Sequence, residues 1–167
     1  MIAIREATAA DIPLIQDIAH KTWPETYGPI LPEGQVAYML GLFYTSQALQ
    51  KNFASGQHFL IAEENGGHLA FASYEMHYQN SSTTRIPKIY VLPESQGKGL
   101  GRMLIERILH IAQETGNEKL QLNVNRHNKA LHFYGYLGFE KVAQVDIPIG
   151  KGFLMEDFIM EKRLPRP

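Results

Sequence analysis

The apolar residues of this chain follow two spacings, which predict an ordered series of strands and helices. Alternating or short continuous apolar runs predict strands at residues 2–5, 59–63, 69–77, 88–92, 120–124, 139–147 and 153–160. Apolar residues three or four positions apart predict helices at residues 8–22, 33–43, 46–54, 100–112 and 128–137. Residues 23–29, which include Pro24, Gly28 and Pro29, are expected to end the first helix.

The order of these elements predicts one mixed α/β domain that spans residues 1–167. A strand–helix–strand unit at its centre implies one parallel pair of strands, and hairpins on either side imply antiparallel neighbours. The expected architecture is therefore a mixed sheet with helices on both faces. Residues 163–167, at the end of the chain, are expected to form a flexible tail.

A glycine-rich loop lies between the predicted strand at 88–92 and the predicted helix at 100–112, and it has the sequence Gln96-Gly97-Lys98-Gly99-Leu100-Gly101. The first amides of a helix have no partner inside the helix, and the helix dipole places partial positive charge there. Because glycine permits positive φ and carries no side chain, a phosphate can touch the backbone directly. The loop predicts a diphosphate site, although a plain turn between a core strand and a core helix is the alternative.

The glycine spacing distinguishes between known kinds of phosphate loop. A nucleotide P-loop needs Gly-x-x-x-x-Gly-Lys-Ser/Thr, which this chain lacks. A dinucleotide fingerprint needs Gly-x-Gly-x-x-Gly/Ala, and Arg102 stands at its last position. Gln96, Gly99 and Gly101 fit Gln/Arg-x-x-Gly-x-Gly/Ala instead. The loop thus resembles the pyrophosphate loop of the Gcn5-related N-acetyltransferase (GNAT) family, and this resemblance implies acetyl-coenzyme A (acetyl-CoA) as the cosubstrate.

A second segment extends the resemblance. Residues 127–139 are similar to the family motif Asn-x-x-Ala-x-x-Phe-Tyr-x-x-x-Gly-Phe, but its first position is His127, with Asn128 one residue later, which leaves that cofactor contact open. The family fold implied is a mostly antiparallel twisted sheet with a splayed parallel pair. The residues implied to bind acetyl-CoA are Tyr90, Val91, Leu92, Gln96, Gly97, Lys98, Gly99, Leu100, Gly101, Arg102, His127, Asn128, Ala130, Phe133 and Tyr134.

The resemblance also implies direct transfer of the acetyl group to an amine. A backbone amide within residues 90–92 is implied to donate to the thioester carbonyl, and Tyr134 to protonate the departing sulfur. The alternative for Tyr134 is a buried core aromatic with a satisfied hydroxyl. Glu75 and Glu25 are candidates for the general base, although each could be a solvated surface carboxylate and a water chain could take that role.

The acceptor pocket of this family lies between the segment after the first helix and the last hairpin. The resemblance here implies Trp23, Tyr27, Tyr38 and Glu156 as substrate-binding residues, and the same segments are similar to the PaiA-type polyamine-acetylating branch. Aromatic faces with Glu25, Glu156 and Asp157 would suit a cationic amine. We therefore expect a small-molecule amine, with a polyamine as the finer prediction. A protein or peptide acetyltransferase and a non-catalytic acyl-CoA sensor are the alternatives.

Composition and charge bear on the expected partners, metal content and cellular location. The net charge is −1 and no run of Lys or Arg occurs, so neither nucleic acid nor a membrane is an expected partner. The chain has no Cys, and its seven His form no metal-binding motif, so no metal is expected. With no signal-peptide pattern and no long apolar run, we expect a cytoplasmic protein. An exposed sheet edge near the last hairpin could pair two copies as a homodimer.

Overall fold

The computed structural model of this protein describes residues 1–166. Strands and helices follow one another in the order that the sequence predicts. Their bounds are β1 Ala3–Glu6, α1 Ile12–Tyr27, α2 Gln35–Phe43, α3 Ser46–Ala54, β2 His58–Glu64, β3 Gly67–Glu75, β4 Thr83–Val91, α4 Leu100–Glu114, β5 Lys119–Asn125, α5 Ala130–Tyr136, β6 Glu140–Gly150 and β7 Phe153–Arg163.

The strands form one seven-stranded sheet in the order β1-β2-β3-β4-β5-β7-β6. The β4–β5 pair is parallel, whereas each of the other five neighbouring pairs is antiparallel. This topology confirms the predicted mixed sheet with one parallel pair. The helix α4 connects the two parallel strands, as a crossover between parallel neighbours requires.

The two parallel strands stay together over a short length only. Thr83, Thr84 and Arg85 pair with residues 119–121, and beyond Arg85 the two strands are not paired. On its other side β4 has a register shift against β3 between the Lys88 and Arg85 pairings, and Pro87 lies in that interval. A proline in a strand is tolerated at such a bulge because it has no N–H to pair. The separation leaves an opening between the carboxyl-terminal half of β4 and β5.

The sheet is covered on both faces, as predicted. In β2, Leu60 and Ala62 pack in a cluster with residues of α4 and α5, while Phe59 and Ile61 pack with α1, α2 and α3. All four side chains are fully buried. Because successive side chains of a strand point to opposite faces, a continuous apolar run is what a strand buried on both faces needs.

The first helix is longer than predicted. It does end within residues 23–29, but the predicted end at residue 22 is wrong, because α1 runs through Pro24 to Tyr27. Pro24 itself is exposed, while Trp23 is buried and packs against Tyr27 with ring centroids 4.6 Å apart. Packing of these two aromatic residues, one turn apart on the same helix face, outweighs the local cost of the proline. The extension carries both rings into the centre of the molecule.

The end of the chain makes hydrogen bonds to the rest of the fold. β7 continues to Arg163, the Leu164 N–H donates to the Glu118 carbonyl at 2.9 Å, and the Gln113 side chain donates to the Pro165 carbonyl at 2.7 Å. Residues 163–165 are thus held by strand pairing or hydrogen bonds, and the flexibility of the tail stays a prediction. Pro167, the last residue of that predicted tail, lies outside the described residues.

Candidate active site

A cavity of about 750 Å³ fills the opening between the separated strands β4 and β5. We call it the cleft. The loop at residues 95–99 and the first turn of α4 form one end, α5 forms a side, and the last turn of α1 covers part of it. The cleft thus brings together the two segments that resemble the GNAT motifs, although they are about thirty residues apart in the sequence.

The glycine loop presents unpaired backbone amides to the cleft. Gly97 and Gly99 have φ of 87° and 76°, in the region that favours glycine, and Gly99 caps α4 without any side-chain hydrogen bond. Within residues 1–166, the N–H groups of residues 97–102 donate to no protein acceptor, while the Gln96 N–H donates to the Pro93 carbonyl at 3.3 Å. Six consecutive free donors at the positive end of a fifteen-residue helix fit a diphosphate. Gln96 contributes only its side chain to this end of the cleft.

The edge of β4 supplies one further backbone donor. The Leu92 N–H donates to the Leu69 carbonyl of the neighbouring segment at 2.9 Å, so it faces β3. Because N–H groups alternate in direction along a strand, the Val91 N–H faces the opposite side, where β5 has separated. The Val91 carbonyl on that side accepts a hydrogen bond from the Gln96 side chain at 3.4 Å. Among residues 90–92, Val91 therefore has the amide that faces the cleft.

Tyr134 places a phenol in the wall of the same cleft. The residue is 8% exposed, and its ring packs against Phe133 and Phe139 with centroids 5.3 and 5.8 Å apart. Its hydroxyl makes no hydrogen bond within residues 1–166, and burial together with the nearby Tyr27 raises its pKa well above the ordinary value of 10.0. The hydroxyl is therefore protonated at neutral pH and available as a donor.

The start of α5 holds the second segment in place. The Asn128 side-chain oxygen accepts the Ala130 N–H at 2.9 Å, which caps the helix. Asn128 and the exposed His127 both line the cleft. The Asn128 side chain also interacts with the Tyr27 hydroxyl, so Asn128 places a polar group beside the position where the family motif has its asparagine.

A second, smaller cavity of about 190 Å³ adjoins the cleft. We call it the chamber. Tyr27, Pro87, Tyr90 and Asn123 line both cavities, so these residues form the shared wall. The Tyr27 and Tyr90 hydroxyls lie 3.0 Å apart in that wall, and the Trp23 ring packs on both tyrosines. Trp23 lines the chamber, and its indole N–H is buried with no hydrogen-bond partner within residues 1–166.

The chamber also holds three charged side chains, Arg85, Lys88 and Asp157. The Arg85 guanidinium donates to Asn123 at 3.0 Å, and the Asn123 amide donates to the Asp157 carboxylate at 3.4 Å. Burial raises the pKa of Asp157 above its ordinary value of 3.8, against the opposing effects of Asn123, Arg85 and Arg126. Burial and the charge of Arg85 lower the pKa of Lys88 to about 8. Sequence reasoning missed Arg85 and Lys88, because no motif marks either residue.

Most of the predicted site residues line the two cavities, but several do not. Leu92 is buried outside both, and the Lys98 ammonium lies 3.9 Å from Glu64 instead. Tyr38 is outside both, and its hydroxyl donates to the Ile149 carbonyl of the last hairpin. Glu156 is exposed and also outside. Of the two candidate bases, Glu25 lines the cleft, whereas Glu75 lies in β3 opposite Arg85 and lines neither cavity.

Two other features bear on the expected partners. Among residues 1–166, no group of three or more His, Cys, Asp or Glu side chains is placed to hold a metal ion. In the same part of the chain, no helix combines the length and the apolar character that crossing a membrane requires.

The comparisons with known proteins agree with this geometry. The chain is 34% identical over 95 residues to the L-amino acid N-acyltransferase MnaT of Escherichia coli, a match that covers 54% of this chain and 55% of that protein. It is 27% identical over 152 residues to the uncharacterized N-acetyltransferase YuaI of Bacillus subtilis, covering 89% of this chain and 86% of that protein. The chain thus spans about half the length of the first relative and most of the second.

The fold matches solved structures over its full extent. The PaiA N-acetyltransferase of Thermoplasma acidophilum, solved in complex with coenzyme A, superposes with a TM-score of 0.81 at 23% identity, covering 98% of this chain and 99% of that chain. At this level of identity the likeness establishes the fold alone. The family model for the acetyltransferase (GNAT) family matches residues 15–139. This match covers most of the chain, including the cleft, and the chain therefore belongs to the GNAT acetyltransferase family.

Proposed function

We propose that this protein is an acetyl-CoA-dependent N-acetyltransferase that transfers the acetyl group directly to a primary amine of a small molecule. The observation that carries the proposal is one cleft that contains both the unpaired Tyr134 hydroxyl and a loop with six free amides at residues 97–102, of which all but Lys98 belong to residues that line the cleft. The amides would bind a diphosphate and the hydroxyl would protonate a leaving sulfur, and an acyl-CoA contains both groups.

The cleft residues divide between the two ends of the cosubstrate. The amides of the loop and of the first turn of α4 would hold the diphosphate, with Gly97 and Gly99 allowing close approach. Asn128, just before α5, and Phe133 on α5 would contact the pantetheine arm. This arrangement directs the acyl group along the separated edge of β4 toward the wall that the cleft shares with the chamber.

Acetyl-CoA supplies an acyl thioester, and the protein supplies a backbone donor and a proton donor around it. The Val91 N–H would donate to the thioester oxygen, where negative charge develops as the amine attacks. The amine nitrogen forms a bond to the carbonyl carbon, and the carbon–sulfur bond breaks. Tyr134 would give its proton to the departing sulfur. An ammonium acceptor gives up two protons in all. One of them restores the Tyr134 hydroxyl after it has protonated the sulfur, and the other is released.

Asp157 is the general base that we propose. It lies in the chamber next to the shared wall, and its raised pKa makes the carboxylate a stronger base than an exposed one. Glu25 is exposed on the cleft side of that wall and is the second candidate. Glu75 draws no support, because it lines neither cavity.

The size of the chamber favours a small acceptor. Its volume of about 190 Å³ is below the range of about 300–1,000 Å³ that is typical of drug-sized ligands. The name of the Escherichia coli relative, an L-amino acid N-acyltransferase, supports a small-molecule amine rather than a protein. The free Tyr134 hydroxyl speaks against a non-catalytic acyl-CoA sensor. The polyamine prediction draws no support from the chamber, because Glu156 lies outside it and two cations line it.

Thermal melting with candidate cofactors tests the proposal. Acetyl-CoA at 100 times its Kd should stabilise the folded chain by about 2.7 kcal/mol, which appears as a higher melting temperature. Free-thiol release with a panel of small amines then measures transfer. A shift with ATP or NAD but none with acetyl-CoA would refute the proposed cosubstrate. Binding of acetyl-CoA without thiol release for any amine or peptide would favour the sensor.

A further inference from the structure

We propose that the chamber selects a small amine that also carries an acid group, as an α-amino acid does, with Arg85 binding the acid group and Asp157 binding the ammonium group. This inference rests on the proposed function, since it names the class of acceptor for the same transfer. It is argued from the charges, hydrogen bonds and size of the chamber.

Arg85 makes its direct contacts within residues 1–166 with neutral groups, which include the Tyr78 ring, whose centroid lies 5.1 Å from the guanidinium carbon. The side chain is half-buried, and its guanidinium donates to the neutral amides of Gln121 and Asn123 at 3.3 and 3.0 Å. It forms no ion pair with a carboxylate within residues 1–166. Removing a charge from water is costly unless a partner of opposite charge replaces the water. A planar guanidinium with spare N–H groups at a cavity wall is well suited to a carboxylate.

Lys88 adds a second cation on the same side of the chamber. Its ammonium donates to the neutral Asn52 side chain at 3.0 Å and also has no carboxylate partner within the described residues. Burial, and to a lesser extent the charge of Arg85, lowers the pKa of Lys88. Two cations beside one small cavity would repel a polyamine and attract an acid group.

Asp157 provides a negative charge, and the side-chain amide of Asn123 separates it from Arg85. The residue is 5% exposed, and Asn123 connects it to Arg85 by donating to the carboxylate and accepting from the guanidinium. A positive and a negative side chain separated by one asparagine match an acceptor whose ammonium and acid groups are close together. Asn123 also belongs to the wall shared with the cleft, so an amine held at Asp157 lies on the side of the acyl group.

The rest of the chamber fits the same class of ligand. The Trp23 indole N–H, on a residue that is 4% exposed, makes no hydrogen bond within residues 1–166, although it is close enough to the Tyr44 hydroxyl to affect its pKa, and it could donate to an oxygen of the acid group. Met39, Phe43 and Met155 provide apolar wall for a side chain. A chamber with spare donors, one carboxylate and apolar walls therefore suits an amino acid better than a simple amine.

The test compares amino acids with their decarboxylated analogues in the thiol-release assay with acetyl-CoA. The pairs are methionine with 3-(methylthio)propylamine, phenylalanine with 2-phenylethylamine, and ornithine with putrescine. Because a hydrogen bond to a charged group is strong, the amino acid of an accepted pair should have a kcat/KM at least about tenfold higher. Equal or better use of the decarboxylated members, or acceptance of no amino acid, would overturn the inference while the melting shift still supports acetyl-CoA binding.

Variants of Arg85 test whether this residue causes the preference for amino acids. In Arg85→Gln the kcat/KM of the accepted amino acid should fall at least about tenfold relative to the kcat/KM of its decarboxylated analogue. Arg163→Gln, at the exposed end of β7, is the matched control and should leave both values unchanged. If Arg85→Gln does not fold, Arg85→Lys should still show a relative fall in kcat/KM because it loses the planar fork. A preference for the amino acid that survives in folded Arg85 variants would contradict the assignment.

Discussion

Phe133 of α5 lies directly against Gly101 of α4. A side-chain carbon added to Gly101 would come 3.3 Å from Phe133 Cζ, which is closer than most such contacts. The two segments that resemble the family motifs therefore touch each other at the base of the cleft. Gly101 lies within the helix and does not have positive φ, so its backbone conformation does not require glycine. The close approach of the Phe133 ring is what favours glycine at this position.

A larger residue at Gly101 should disturb both folding and acetyl-CoA binding. We expect Gly101→Val to lower the free energy of unfolding by about 1–3 kcal/mol, because it forces Phe133 aside, and to weaken acetyl-CoA binding. Thermal melting and calorimetric titration measure the two effects. Gly135→Ala in α5 is the control, since nothing lies within 4 Å of its added carbon. It should raise stability by about 0.5–1 kcal/mol. Unchanged binding in a folded Gly101→Val variant would contradict the close packing.

Removal of the Tyr134 hydroxyl should separate binding from turnover. Because that hydroxyl makes no hydrogen bond within residues 1–166, Tyr134→Phe leaves no unsatisfied protein partner and should fold normally. We expect an unchanged Kd for acetyl-CoA and a loss of kcat of about 10²–10⁴-fold. Tyr136→Phe, on the same helix but 84% exposed, should retain full activity. Full activity of Tyr134→Phe would remove this residue from the mechanism.

Asp157→Asn should lose activity without losing stability. A carboxyl whose pKa is raised in the folded state binds a proton more readily there, so the free energy of unfolding falls as pH rises from 3.8 through the folded pKa and stays lower above it. The variant lacks this buried charge and should melt at or above the wild-type temperature at pH 7. Its kcat/KM should also lose the decline at acid pH that titration of the base causes.

The exposed neighbour Glu156 provides the control for Asp157. Glu156→Gln removes a carboxylate one residue away that lines neither cavity and should change neither activity nor the pH profile. Wild-type activity in Asp157→Asn would rule out Asp157 as the base and make Glu25 the next residue to test.

Lys88→Met should raise stability below pH 8. The pKa of Lys88 is lowered to about 8 from 10.5, so the wild-type free energy of unfolding increases as pH rises between these values. The variant has no such charge, and its advantage in melting temperature at pH 7 should shrink by pH 10. Lys51→Met, at an exposed lysine of α3, is the control and should not raise the melting temperature at pH 7. A lower melting temperature for Lys88→Met at pH 7 would contradict the desolvation argument.

The sequence predicted what depends on local pattern and left out what depends on distant packing. The order of elements, the glycine loop and Tyr134 follow from periodicity and short motifs. The extension of α1 past Pro24 does not, because it depends on the packing of Trp23 and Tyr27 against β4.

The chamber could not be read from the sequence for the same reason. Arg85 and Lys88 line it because β4 separates from β5 after residue 85 and has a bulge near Pro87. Neither the separation nor the bulge can be recognised from the spacing of apolar residues in the sequence. Glu75 was a reasonable candidate base from its place on the preceding strand, but the register of β3 and β4 puts it opposite Arg85 and outside both cavities.

The most direct test of the account is calorimetric titration of acetyl-CoA into the wild-type chain, Gly99→Asp and Gly116→Asp. Both glycines have positive φ, 76° and 80°, with nothing within 4 Å of an added carbon, so the two substitutions cause similar backbone strain at opposite ends of α4. Only Gly99→Asp puts bulk and negative charge beside the free amides. We predict that the wild type and Gly116→Asp bind with the same Kd and that Gly99→Asp binds at least about 100-fold more weakly. Equal affinity in all three proteins would contradict the claim that these amides hold the diphosphate.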